Sequence, residues 1–190
     1  MDGGFAKRFP TDAPHLDEAF QNFERLIEEI VLQEARVHTA PWDRALQALL
    51  QRAAHIRWWL TGSAALAVRG IPISPRDLDL VVDDEGARTL GEALLDGLVE
   101  PVSPAEGWIS RWWGRAFLHA RIEWAGGVDE RADQPLVGDV GPAAAGRLEE
   151  VRWRGYQVLV PPLDLQLAVN ERRGLTDRIE LIRAFMAEGP

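Results

Sequence analysis

Two aspartates, Asp77 and Asp79, stand one residue apart in the stretch Arg76-Asp77-Leu78-Asp79-Leu80-Val81-Val82. The alternation predicts a strand with Asp77, Asp79 and Val81 on one face and Leu78, Leu80 and Val82 on the other. Two carboxylates at i and i+2 on one strand face repel unless positive charge lies between them. A magnesium or manganese ion suits them, because hard cations take carboxylate oxygens. A solvated acidic strand end is the alternative. Upstream, Trp58-Trp59-Leu60-Thr61-Gly62-Ser63 reads as a short apolar strand ending in a Gly-Ser turn, then a small-residue helix from Ala64 to Arg69. The N–H groups of such a turn, with the Ser63 hydroxyl, can meet phosphate oxygens. Ser63 as an ordinary N-cap is the plainer reading, and both can hold at once.

The order apolar-Gly-Ser, Ala64 to Arg76, then Asp-apolar-Asp-apolar resembles the signature of the polymerase-beta-like nucleotidyltransferase superfamily. Small antibiotic-modifying enzymes and abortive-infection-type toxins belong to that superfamily. The resemblance implies an α/β fold: a small mixed, mostly antiparallel sheet with N- and C-terminal helices. It implies metal-dependent transfer of a nucleotide from a nucleoside triphosphate to a hydroxyl of a small molecule, protein or RNA. Magnesium (or manganese) would be held by Asp77, Asp79 and a third carboxylate on a later strand. Glu123, in Arg121-Ile122-Glu123-Trp124, is the candidate, with Asp129 as fallback. An exposed Glu123 paired with Arg121 or Arg115 is the competing reading. Gly62 and Ser63 would hold the triphosphate, with positive charge from Arg69, Arg76 or Arg173.

The resemblance has a weaker echo near the C-terminus. There the family carries a lysine on an apolar helix, followed by Arg and Asp. Arg172 or Arg173 and Asp177 fit that rhythm, but Asn170 stands where the lysine is expected. A catalytically degenerate nucleotidyltransferase fold, binding nucleotide or acting as a toxin–antitoxin interaction module, is therefore the alternative function.

Several elements must position these residues. Apolar residues at helical spacing predict a helix from Leu16 to Val37 and a second from Pro41 to about Ala54, packing on the sheet's back or edge or in a dimer contact. After the aspartates, Asp83-Asp84-Glu85 caps a helix to about Leu98, and Pro101 to Gly107 reads as loop. Trp108–Trp113 and Ala116–Ala125 are expected as strands around a Gly114-Arg115 turn, which places His119 on the face of Glu123. Gly126 to Gly146 reads as a long loop. A hairpin turns at Arg154-Gly155, then helices follow from Leu163 to Arg172 and through Ile179, Ile182 and Phe185.

The expected organisation is one domain over 1–190. Residues 1–14 form a flexible lead-in, 16–54 a helical extension, 57–125 the signature region and 148–188 a C-terminal hairpin and helices. Hydrophobic residues at 46% and charged ones at 27% describe an ordinary globular chain. No apolar run is long enough for a bilayer, and no signal-peptide pattern stands at the N-terminus, so the expected location is cytoplasmic. Without cysteine there are neither disulfides nor thiolate ligands. A net charge of −9 favours a small-molecule or protein acceptor over RNA. Lys7 is the only lysine, so arginine must supply positive charge in the middle of the chain. Of the eight tryptophans, those at 58, 59, 112, 113 and 124 lie on expected strands beside the site, as core filling or as a platform for a base.

Overall fold

The structure is a computed structural model that describes residues 8–105 and 107–188. Half of the expected lead-in, residues 1–7, lies outside them. Two helices come first, α1 (Leu16–Glu34) and α2 (Trp42–Arg52), then β1 (Trp58–Thr61), α3 (Gly62–Val68) and β2 (Asp77–Val82). There follow α4 (Asp84–Ala93), a 3-10 turn, and strands β3 (Leu98–Pro104), β4 (Ser110–Leu118) and β5 (Ala120–Val128). The remainder comprises a second 3-10 turn, α5 (Pro142–Ala145), the hairpin β6 (Glu149–Trp153) and β7 (Tyr156–Val160), α6 (Leu163–Arg172) and α7 (Thr176–Glu188).

The five-stranded sheet has the order β1-β2-β5-β4-β3, and only β2 and β5 run parallel. This is the small mixed, mostly antiparallel α/β sheet that the sequence leads one to expect. Its apolar face carries Leu78, Leu80, Val82, Ile122 and Trp124, all 2% exposed or less. Against it pack Leu46 and Leu49 of α2 and Ala87 and Leu90 of α4. Asp83 caps α4 as expected, accepting from the Gly86 N–H at 2.6 Å. The opposite face carries the charge: Asp77 and Asp79 from β2, Arg121 and Glu123 from β5, Arg115 from β4 and Glu100 from β3.

The hairpin preceding Glu123 differs from expectation. Gly114 lies inside β4, and the chain reverses at His119, whose φ is +66°. Gly114 serves packing: a Cβ there would meet Trp124 Cζ2 at 2.2 Å, so only glycine admits the indole across the strand pair. His119 therefore leaves the face of Glu123, and its carbonyl accepts from Gln33 Nε2 at 2.7 Å. Residues 98–104 form a strand where helix end and loop were expected. The helix stops at Ala93, and Leu98 and Glu100 pair with Ala116 and Arg115. The region 126–146 holds the end of β5, a 3-10 turn and α5 in place of one long loop. Arg154 (φ +48°) and Gly155 (φ +88°) make the expected turn, the positive-φ pair that a two-residue hairpin needs.

The apolar stripe of α1 is not buried as a helix-on-sheet contact would bury it. Phe20 is 60% exposed and Val31 53%, while Ala19 packs inward. Polar bonds hold the helix along β3 instead: Asn22 Nδ2 donates to the Leu95 and Leu98 carbonyls at 2.8 and 3.0 Å. At the other end, Glu34 pairs with Arg121.

Candidate active site

The register of the parallel pair places Asp79 beside Glu123 and Asp77 beside Arg121. One carboxylate oxygen each from Asp77, Asp79 and Glu123 falls within 4.8 Å of the others. Side-chain exposure is 16% for Asp77 and 12% for Glu123, so the cluster is largely out of water. Asp79 makes no hydrogen bond or ion pair among the described residues. Burial first, then the charges of Asp77 and Glu123, push its carboxyl up to about 7, against the pull of Arg121 and Arg173. Such a trio, with one member unsatisfied, fits a hard divalent cation: three oxygen donors converge where positive charge is short.

The other two carboxylates have cationic partners. Arg121 bridges Asp77 and Glu34, with its Nε 3.5 Å from Glu123 Oε1. Burial opposes the charge of Arg121, but Glu123, Asp77 and Glu34 carry its pKa above the usual value. Arg115 donates from Nε to Glu123 Oε1 at 2.6 Å and also pairs with Glu100. All of these contacts to Glu123 use Oε1, so ion pairing and a place in the carboxylate cluster coexist.

Gly62 opens α3 with φ +62°, and Thr61 is in register with Asp79. Ser63 is buried on the first turn. Behind this turn, Gln166 Nε2 of α6 donates to the Gly62 carbonyl at 3.4 Å. Asn170 is buried and donates to the Gln166 carbonyl at 2.7 Å. The side-chain oxygens of Gln166 and Asn170 have no partner, leaving two buried acceptors aligned one turn apart.

The arginines divide. Arg69 donates to Glu149 Oε2 at 2.6 Å and to the Pro161 carbonyl at 2.8 Å, which ties it to the second hairpin. Arg173 acts on Asp79, and Arg178 feels Asp77 and Asp79 together with Arg173 and Arg76. Burial, then the like charges of Arg173 and Arg76, lower the pKa of Arg178. Asp129 is exposed and caps the 3-10 turn by accepting from Arg131 N, away from the cluster.

Two residues near the site stand outside the sequence expectations. Arg178 is one of two arginines on the last helix, and only the packing of α7 brings it near Asp77. Asp139, in the Gly- and Pro-rich stretch, is buried and accepts from Thr61 Oγ1 at 3.4 Å. Burial raises its pKa against the pull of Arg173 and Arg172. The spacing of Arg178 from Arg173 is the one clue in the sequence, since five residues across a Gly174 break can bring two helix ends together.

The five-stranded sheet with its parallel β2–β5 pair has the fold of solved nucleotidyltransferase structures. One solved structure with this fold is that of a candidate nucleotidyltransferase from Thermotoga maritima. It superposes with a TM-score of 0.58 at 19% identity over 77% of this chain and 93% of that one. Another is the lincosamide antibiotic adenylyltransferase LnuA, solved with lincomycin bound. Its TM-score is 0.51 at 15% identity, covering 73% of this chain and 94% of that one. No protein-family profile matches the sequence, and no curated protein does.

Proposed function

We propose that the protein is a metal-dependent nucleotidyltransferase, moving a nucleotide from a nucleoside triphosphate to a hydroxyl acceptor. The observation that carries this reading is the carboxylate trio Asp77, Asp79 and Glu123 within 4.8 Å, with Asp79 unpaired. These residues would hold magnesium or manganese, which when bound offsets charge on the attacking and leaving oxygens. The acceptor oxygen attacks the α-phosphorus, the bond from that phosphorus to the bridging oxygen breaks, and pyrophosphate leaves with the electron pair. The hydroxyl proton passes to Glu123 Oε2, the oxygen that the arginines leave open.

Gly62 and Ser63 face the triphosphate in this reading. Arg76, Arg173 and Arg178 bring positive charge to it, and Arg69 is committed to Glu149. Arginine thus substitutes for the lysine absent at position 170. A small-molecule acceptor agrees with the acidic chain, and the similarly folded LnuA is an adenylyltransferase of an antibiotic.

The degenerate reading rests on a different observation. Arg121 and Arg115 already neutralise two of the three carboxylates, as a purely structural ion-pair network would. Calorimetric titration with each of the four magnesium-triphosphates, paired with transfer of α-phosphate label to a hydroxylated acceptor pool, separates the two. Binding with transfer, both lost in Asp77→Asn, supports the enzyme. Binding that is unchanged without magnesium, and no transfer, supports the degenerate fold.

A further inference from the structure

The charged face of the sheet does not end at the carboxylates. A cavity of about 390 Å³ opens beside them, between α1 and the strands β3, β4 and β5. Its walls are apolar: Phe20, Phe23 and Ile30 from α1 face Val99 and Phe117 from the sheet. Cavities of roughly 300–1,000 Å³ with such walls and a few convergent polar groups are typical of small-molecule sites. We propose that this cavity is the acceptor site, and that the acceptor is a hydroxylated aromatic or alicyclic small molecule without positive charge. The inference rests on the nucleotidyltransferase reading and names the substrate class for it.

Three observations carry it. First, Arg121 belongs to both places: it lines the cavity and binds Asp77 of the trio. The polar end of the cavity is therefore the edge of the carboxylate cluster. A molecule lying along α1 presents its end group there.

Second, α1 leaves Phe20 and Phe23 60% and 40% exposed at the cavity, although the helix is firmly bonded to the 95–98 turn and to His119. Apolar surface that the described residues do not cover is available to an apolar ligand, at about 25 cal/mol per Å² removed from water. Third, the charges at the cavity disfavour a cation. Arg76, Arg115 and Arg121 line it against Glu34 and Glu100. Arg121 and Arg115 already occupy those carboxylates, and Arg76 makes no hydrogen bond or ion pair among the described residues. With the trio's charge taken up by the metal ion of the proposed function, a polyamine would meet guanidinium where it needs carboxylate. A phenol or a cyclic alcohol meets no such opposition.

The test uses 2-naphthol as the probe, its fluorescence titrated with the full-length protein, and spermine as the cationic comparator. Phe23→Glu places a charge in the cavity wall, and Val31→Glu places the same charge on an exposed apolar position of α1 outside the lining. We expect saturable 2-naphthol binding, weakened at least about tenfold by Phe23→Glu and less than about twofold by Val31→Glu. Spermine should not displace the probe. Magnesium-triphosphate binding, measured calorimetrically in the same two variants, should match the parent.

Absence of saturable 2-naphthol binding overturns the cavity assignment. So does an equal loss in both variants, or displacement by spermine. Naphthol binding as expected in a protein that takes up no magnesium-triphosphate overturns the transfer reading instead, and the acceptor role with it. The two failures are thus told apart by which ligand is refused.

Discussion

Gly62 and Asp79 touch across the β1–β2 pair: a Cβ on Gly62 would lie 2.7 Å from Asp79 Oδ2. The same glycine holds φ at +62°. A side chain at position 62 would therefore force the Asp79 carboxylate to swing away from the turn. Gly62, with this φ and no Cβ, is what lets the turn lie directly against the acidic strand.

Gly62→Ala should destabilise by more than backbone strain alone. Left-handed φ costs a non-glycine residue roughly 1–2 kcal/mol, and the contact with Asp79 adds to it. Gly70→Ala is the control, since Gly70 has φ +93° with nothing within 4 Å of its added Cβ. Thermal unfolding of both variants isolates the contact. A Gly62 variant no less stable than the Gly70 variant, with magnesium-nucleotide affinity intact, contradicts the close approach.

Asp79 makes the protein less stable as pH rises from about 4 to about 7. Its carboxyl titrates near 3.8 in the unfolded chain and at about 7 in the fold. Below about pH 4 both states hold the proton and Asp79 imposes no cost. Between about pH 4 and 7 the unfolded chain releases its proton while the fold retains it, so stability falls as pH rises, and the full loss is present above about 7. Asp79→Asn should erase this slope and exceed the parent in stability at about pH 8. Urea unfolding in chelator across that range is the measurement, and a flat parent curve sinks the assignment.

Arg115 joins Glu100 and Glu123 across three strands. Arg115→Met removes the cation between two carboxylates only 11% and 12% exposed. Breaking a buried pair from one side costs about 3–5 kcal/mol, and the 31% exposure of Arg115 brings the expectation down to about 2–3. The double variant with Glu123→Gln should recover part of that loss. Additive effects in the double-mutant cycle would show that the two side chains do not interact.

Arg173 and Arg178 should matter to phosphate and not to base. Alanine at either position is expected to weaken triphosphate binding about tenfold or more, and nucleoside binding hardly at all. Arg69→Ala, by contrast, should act on stability, because its partners are Glu149 and Pro161. Calorimetry with the triphosphate and the nucleoside separates these effects. Equal losses for both ligands would remove the arginines from the phosphate side.

The acidic half of the site was legible because it is local. Asp77 and Asp79 share a face by strand periodicity, and Gly62-Ser63 precedes them by one short helix. Glu123 was reachable through its apolar-acid-apolar setting, which survives although the hairpin before it turns at His119. Gly114 misled because glycine marks turns and close approaches alike, and only the position of Trp124 decides which. The strand 98–104 was obscured by Pro101 and Pro104, which an edge strand tolerates. Arg178 and Asp139 depend on the docking of α7 and of the stretch before α5, contacts with no periodicity to read.

The parallel pairing of β2 with β5 also sets an order of events in folding. Asp77 and its partner Arg121 are 44 residues apart in the chain, with α4, β3 and β4 between them. Hairpins between neighbouring strands close quickly, whereas a parallel pair must wait for everything enclosed in its crossover. The step that gathers Asp77, Asp79 and Glu123 is thus a late closure, and their mutual repulsion is felt at that moment. Arg121 arrives in the same step, so the closure that sets Glu123 beside Asp79 also sets a cation against Asp77.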